Sequence, residues 1–250
     1  VAVNTVGEHL KAFMQKQSGE SDRLLAQWQI GANDDPVTKN AAHQLCNQFS
    51  DAFYSAVTEA IEQIEHEATR QGVASKLFAT TLLFAVVRQQ DNKTFISSFW
   101  VGDGAIAVYG KDRVRLMGTP DGGEFAGQTR FLDYGCLLRD FKQRVHIGYF
   151  DDAQAVILMT DGISDPRFET DAGLENQQKW QALWQEIEPH LQQEKPEQAL
   201  LEWSKFFSAG HHDDRTLALL WTQKPNLEPT LNDLDDQQMK DSPDLNIHPE

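Results

Sequence analysis

The sequence predicts an α+β fold, two stacked antiparallel β-sheets flanked by helices in an α-β-β-α sandwich. Two observations carry that expectation. Between Lys76 and Gly118, runs rich in β-branched and aromatic residues succeed one another, broken only by "DNK", "GDG" and "GKD". Connections that short join antiparallel neighbours and cannot hold the long crossover of a parallel pair. The second observation is the order of patterns. Helices come first, then strands, then helices, then one more strand, and sheets with one apolar face bury it against each other while helices cover the outside.

The elements follow in order. "VAVNTVGEHLKAFMQ" has helical spacing, with Val3, Val6, Leu10 and Phe13 on one face. Residues 16–40 are polar, and "GANDDP" is a loop signal. From Ala41 to Arg70 a long helix is expected, because Ala42, Leu45, Phe49, Phe53, Val57, Ile61 and Ile64 step by three or four along one core stripe. "LFATTLLFAVV", "TFISSFWV", "AIAVYG" and "RVRLMG" read as strands, "PDGGEFAG" as a loop, and "RVHIGYF" and "AVILMT" as two more strands. Helical patterns return at 174–190 and 196–208, the first with Trp180, Leu183, Trp184 and Ile187 on one face. "RTLALLWT" at 215–222 is a final strand. The rest has four prolines, an acidic bias and no aromatic residue, too little apolar surface to offset ordering entropy. The expected organisation is a domain over 1–222 and a disordered acidic tail over 223–250.

Composition narrows the function. A net charge of -16 would repel a phosphate backbone, so nucleic acid is not an expected partner. The best apolar run, "TTLLFAVV", is far shorter than the roughly 20 residues of a membrane span. No signal peptide pattern is present, and Cys46 and Cys136 lack a CxxC spacing, as expected of reduced thiols in the cytoplasm. His211 and His212 are adjacent, far from any cysteine, and read as a solvated loop rather than a zinc site.

The informative residues are acids at strand ends. Asp103 lies in "WVGDGAIAVY", Asp161 and Asp165 in "VILMTDGISD", and Asp213 and Asp214 in "GHHDDRTLALL". Each motif alone reads as a turn, since Asp-Gly is a common turn former. Taken together they say more. Asp161 follows a long apolar strand and Asp213 precedes another, so antiparallel pairing of the two would bring both carboxylates to one sheet edge. Crowded carboxylates repel unless a cation or proton separates them. Oxygen donors of this kind suit Mg²⁺ or Mn²⁺ and not Zn²⁺.

The order "ATTLL", "GDGA", "GEFAGQTRFL", "LMTDGISD", "DDRTLALL" resembles that of the metal-dependent protein phosphatases (PPM), the type 2C serine/threonine class, in its bacterial form. The motifs fall on Gly102-Asp103, on Thr160-Asp161-Gly162 with Asp165, and on Asp213-Asp214-Arg215-Thr216. The resemblance implies the same two-sheet fold and hydrolysis of phosphoserine or phosphothreonine in proteins by a water that two divalent ions activate. It implies Mn²⁺ or Mg²⁺ as cofactor, two core ions with a third, weaker one. The partner it implies is a phosphorylated protein, the target of a cognate kinase. It makes Asp161 and Asp213 ligands of a core ion and the catalytic acids, and Asp103 and Asp165 ligands of the third ion. Gly102, Gly162, Asp214 and Thr81 stand around them as supporting residues, Asp214 where many members have Asn. The family begins with strands carrying an acidic pair and an ion-bridging Asp-Gly, none of which precedes Val1; "VAVNTVGEHL" resembles the helix that follows them. The expectation is a chain short of the family's first segment, with a poorly bound second ion. The alternative function is a catalytically silent phosphatase-like domain that binds a partner protein.

Overall fold

A computed structural model describes residues 1–30, 35–90, 93–111, 113–118, 120–121, 129–210 and 213–222. The tail at 223–250, the His211-His212 pair and most of "PDGGEFAG" lie outside the described residues. Four layers stack in the expected order. The first is a pair of long helices, α1 (Ala2–Ile30) and α2 (Pro36–Gln71). They cover a three-stranded antiparallel sheet of β1 (Leu82–Gln90), β2 (Lys93–Val101) and β5 (Val145–Phe150), in the order β1-β2-β5. The second sheet holds β3 (Ala105–Gly110), β4 (Val114–Leu116), β6 (Ala153–Met159) and β7 (Leu217–Trp221), in the order β4-β3-β6-β7. On its outer face lies α5 (Gln177–Leu191), with α6 (Pro196–Trp203) beside it. Two short helices, α3 (Tyr134–Arg139) and α4 (Asp161–Phe168), join these elements.

Helix ends follow local chemistry. Asp35 caps α2 by accepting from Thr38 N at 3.0 Å, Pro36 supplies the first helical φ, and Gly72 closes the helix in the left-handed region at φ 67. Asn176 caps α5 in the same way, accepting from Gln178 N at 2.9 Å. The face predicted for α5 is the buried one: Trp180, Leu183, Trp184 and Ile187 all point inward.

The first helix is longer than its sequence suggests. It runs on to Ile30, where residues 16–40 read as polar. Leu24 and Leu25 are buried and Trp28 packs against the core, so a few apolar residues hold a stretch whose other faces are polar. At the start of α1 the buried residues are Ala2, Val6 and Leu10, while Val3 is exposed. Residues 77–81 of "LFATTLLFAVV" precede β1 and are not strand. Cys46 is a free thiol. No helix among the described residues is long and apolar enough to cross a membrane.

The two cores meet at β2, because alternate residues of a strand face opposite ways. Phe95, Phe99 and Val101 pack with α1 and α2, where Phe49 lies 5.0 Å from Phe95 between ring centroids. Ile96 and Trp100 pack with the second sheet.

His146 on β5 is half-buried, and burial pushes its pKa below the usual value against a hydrogen bond with the Gln143 backbone. A base with a depressed folded pKa contributes stability above the unfolded pKa that is lost as pH falls through the folded one. His146→Gln should therefore flatten the fall in melting temperature across the acid side of the ordinary histidine range, near pH 6.5 and below. Thermal melts of both proteins over that range check it.

Candidate active site

Strand register builds the site. Ala105 at the start of β3 pairs with Met159 at the end of β6, which pairs with Leu217 at the start of β7. Asp103 lies just before the first of these, Asp161 just after the second, and Asp213 shortly before the third. Three acids thus stand at one end of three adjacent strands. The antiparallel pairing of β6 with β7 joins Asp161 and Asp213 as the sequence suggested.

The join is knitted by backbone and hydroxyl groups. Thr160 N donates to Thr216 O at 3.1 Å. The Thr160 hydroxyl accepts from Thr216 N at 3.0 Å and donates to Asp214 O at 3.2 Å. One side chain therefore fastens the exit of β6 to the entry of β7. Thr160 is also the residue before α4, so the strand turns directly into a helix that opens on Asp161. That helix was not apparent in the sequence, where "TDGISDP" reads as a turn. Its geometry puts Asp165 one turn beyond Asp161, on the same side of the helix and exposed to solvent.

Gly162 is required by a close approach. A Cβ there would lie 2.5 Å from Asp214 O and 3.0 Å from Asp213 O. The backbone of the 213–214 segment thus passes directly against α4. Arg215 clamps it there, donating from Nε to Gly162 O at 3.0 Å and from Nη1 to Ser204 O at 2.9 Å and to Phe206 O. Its guanidinium also lies over the Phe206 ring, 3.9 Å from the centroid.

Gly102 has a different constraint. Its φ is 118, which disfavours any side chain, and a Cβ there would sit 2.4 Å from Thr81 Cγ2. Thr81 is thus a packing neighbour of the "GDG" turn. The carboxylate of Asp103 accepts from the Thr129 hydroxyl. A cleft of about 280 Å³ opens beside this end of the sheet, lined by Thr80, Thr81, Thr160 and Thr216 together with the apolar Val3, Leu82, Leu83, Leu158, Met159 and Ala218.

Burial first, and then the charge of Asp103, hold the Asp161 carboxyl above its usual range. The Gly162 N–H, 2.8 Å from Asp161 Oδ1, pulls the other way, and Asp213 adds to the rise. The acids therefore act on one another electrostatically. Among the described residues, no three His, Cys, Asp or Glu side chains are arranged as a group that could hold a metal ion. The donor chemistry of Asp103, Asp161 and Asp213, oxygen only, nonetheless fits a hard divalent cation.

Sequence reasoning missed a second layer of residues. Asp121, Arg130, Asp140 and Arg144 form a charged network behind the Gly102 turn. Thr129, Thr160 and Arg215 lay within the quoted motifs, but the spacing of acids says nothing about what braces them. Only the "RDFKQR" run, with Asp140 and Arg144 four apart, signals a pair.

A four-layer α-β-β-α sandwich with acids at the ends of its inner strands is the framework of a phosphatase of the 2C class. The chain belongs to the protein phosphatase 2C family, protein serine/threonine phosphatases, whose model matches residues 1–204. Asp103, Asp161 and Asp165 fall inside that match, and Asp213 lies beyond it. Among solved structures the chain is similar to a mutant bacterial serine phosphatase, at 15% identity over 70% of this chain and 67% of that one, with a TM-score of 0.37. It is similar to a sex determining protein of C. elegans at 14% identity, over 78% of this chain and 50% of that one, with a TM-score of 0.43. The phosphatase domain of the cell fate determinant SpoIIE from Bacillus subtilis matches at 15% identity, over 72% and 74%, with a TM-score of 0.32. No curated protein matches the sequence.

Two outcomes are expected from these contacts. Gly162→Ala must push the 213–214 backbone away from α4, and should destabilise the fold by about 1–3 kcal/mol in chemical denaturation. Asp161→Asn should raise the melting temperature of the protein in chelator at pH 7. A carboxyl with a raised folded pKa leaves its stability below the unfolded pKa and loses it as pH rises through the folded one. The advantage of Asn should therefore shrink as pH falls through the carboxylate range.

Proposed function

We propose that this chain hydrolyses phosphoserine and phosphothreonine in a protein substrate, the target of a cognate kinase, using Mn²⁺ or Mg²⁺ in the cytoplasm. The observation that carries the reading is the meeting of Asp103, Asp161 and Asp213 at one end of three paired strands, with Asp161 held above its usual range by burial and its two neighbours. A carboxylate in that position is relieved by a divalent cation.

In this reading Asp161 and Asp213 hold a core ion, and Asp103 and Asp165 hold a weaker one. The ion, when bound, supplies hydroxide near neutral pH and a clamp for phosphoryl oxygens. The chain's own part is to keep the acids placed. Thr160 and Arg215 fix Asp161 and Asp213 through the backbone, and Thr129 orients Asp103. Asp214 contributes its carbonyl to the Thr160 staple, and its side chain is exposed. The reading takes residues 1–222 as the phosphatase-like domain and 223–250 as an acidic tail outside it.

A second reading, a silent phosphatase-like domain that binds a partner protein, is favoured by one observation, the lack of a three-donor metal group among the described residues. One experiment separates the two. With Mn²⁺, the protein should gain melting temperature by mass action and release phosphate from a phosphothreonine peptide. Asp161→Asn should lose most of that thermal shift and lower kcat by about three powers of ten, the equivalent of several kcal/mol of transition-state stabilisation. Asp165→Asn should keep the shift and raise the Mn²⁺ concentration needed for turnover. No phosphate release, with no thermal shift, would establish the silent module.

A further inference from the structure

We propose that Asp121 and Arg144 are positioning residues that fix the Gly102-Asp103 turn, and with it the Asp103 carboxylate. The inference rests on the phosphatase reading only for the use to which Asp103 is put. The geometry stands without it.

Arg144, at the junction with β5, is buried, 7% exposed. A guanidinium has five N–H donors, and all five are used. Nε donates to Asp140 Oδ1 at 3.1 Å. Nη1 donates to Trp100 O at 3.0 Å and to Asp121 Oδ2 at 2.5 Å. Nη2 donates to Asp121 Oδ1 at 2.9 Å and to Asp140 Oδ2 at 3.0 Å. Asp121 is thus gripped at both oxygens, the strongest and most directional form of this pair. Arg130 completes the set, donating to Asp140 Oδ2 at 2.6 Å.

Asp121 in turn holds Gly102 from both sides. Its Oδ2 accepts from Gly102 N at 3.0 Å, and its own N donates to Gly102 O at 3.0 Å. Trp100 Nε1 adds a third bond, to Gly102 O at 2.9 Å. Gly102 therefore has its N–H and its carbonyl spoken for, in a conformation that only glycine adopts readily. The next residue is Asp103. With its Cα set by this frame and its carboxylate held by Thr129, it has little freedom to turn away from Asp161. Lysine at 144 could reach one or two of these acceptors but not all of them, so keeping the positive charge is not enough. A network with this many oriented bonds does more than neutralise charge.

The test uses the whole chain and reads the turn directly. Arg144→Lys and Asp121→Asn should each speed exchange of the Gly102 amide in metal-free protein about tenfold, as loss of an oriented hydrogen bond requires, while β6 amides keep their rates. Arg115→Lys is the control. It weakens a 2.8 Å pair with Asp152 at the far end of the second sheet and should leave Gly102 unchanged. In the presence of Mn²⁺, Arg144→Lys and Asp121→Asn should raise the concentration giving a half-maximal thermal shift by about tenfold, as loss of a supporting contact does for metal ligands. Adding Asp103→Asn to either should produce no further rise, because residues acting through one another are not additive. Thr129→Val should raise the Mn²⁺ requirement while Gly102 exchanges as in the parent. If Arg144→Lys lowers the melting temperature but leaves Gly102 exchange unchanged, Arg144 only fills the core and the proposal fails. The Asp121→Asn variant decides the same point if Arg144→Lys does not fold. Effects that add to Asp103→Asn would also overturn it. A parent protein with no Mn²⁺ shift would defeat the phosphatase reading, and the positioning role would then stand or fall on the exchange rates alone.

Discussion

The repulsion among Asp103, Asp161 and Asp213 is the constraint around which this end of the molecule is built. Three acids stand at the ends of three paired strands, and burial first, then the charges of Asp103 and Asp213, raise the Asp161 pKa. Among the described residues, no arginine or lysine is paired with these three carboxylates. Arg215, next in sequence to two acids, spends its donors on the carbonyls of Gly162, Ser204 and Phe206. The acids are held instead by bonds to the backbone beside them and, for Asp103, by the Thr129 hydroxyl on its carboxylate. Such an arrangement keeps their negative charge available to a ligand, where a direct Arg pair would consume it.

Those backbone bonds explain the residue types in the motifs. "TDG" works as a unit. The threonine staples two strands through its hydroxyl, the aspartate opens a helix, and the glycine lets a neighbouring carbonyl come to a distance no side chain would permit. "DDRT" works as the partner unit, since its carbonyl receives the threonine, its arginine clamps the glycine, and its own threonine takes the strand bond. The two motifs are separated by some fifty residues and read as unrelated turns until β6 and β7 are paired.

What the sequence disclosed follows from this. Apolar periodicity located α2, α5 and the strands, because each places a regular stripe against a core, as Trp180, Leu183, Trp184 and Ile187 do. The acids at strand ends were legible because long apolar runs stop at them. The second half of α1 was not, since Leu24, Leu25 and Trp28 are too few to mark a stripe among polar neighbours. Nor was α4, whose Gly and Pro read as turn residues in isolation, although Pro166 lies within the helix. The Asp121–Arg144 network was least visible of all. Its members are scattered over 121–144, share no period with any element, and acquire meaning only when the chain folds back behind Gly102.

That network also joins site geometry to core packing. Trp100 is buried between the sheets, yet its indole N–H holds Gly102 O and its carbonyl receives Arg144. On the same strand, Phe99 packs toward α1 and α2. The helical layer, the first sheet and the turn bearing Asp103 are therefore linked through two consecutive residues of β2. A buried ion pair adds little to net stability, because desolvation offsets its attraction, and its better-attested use is to select one arrangement among several. Here two arginines face two aspartates, so the set brings no net charge toward the acids of the site. Its directional bonds select one placement of the turn, and the site inherits that placement from the core.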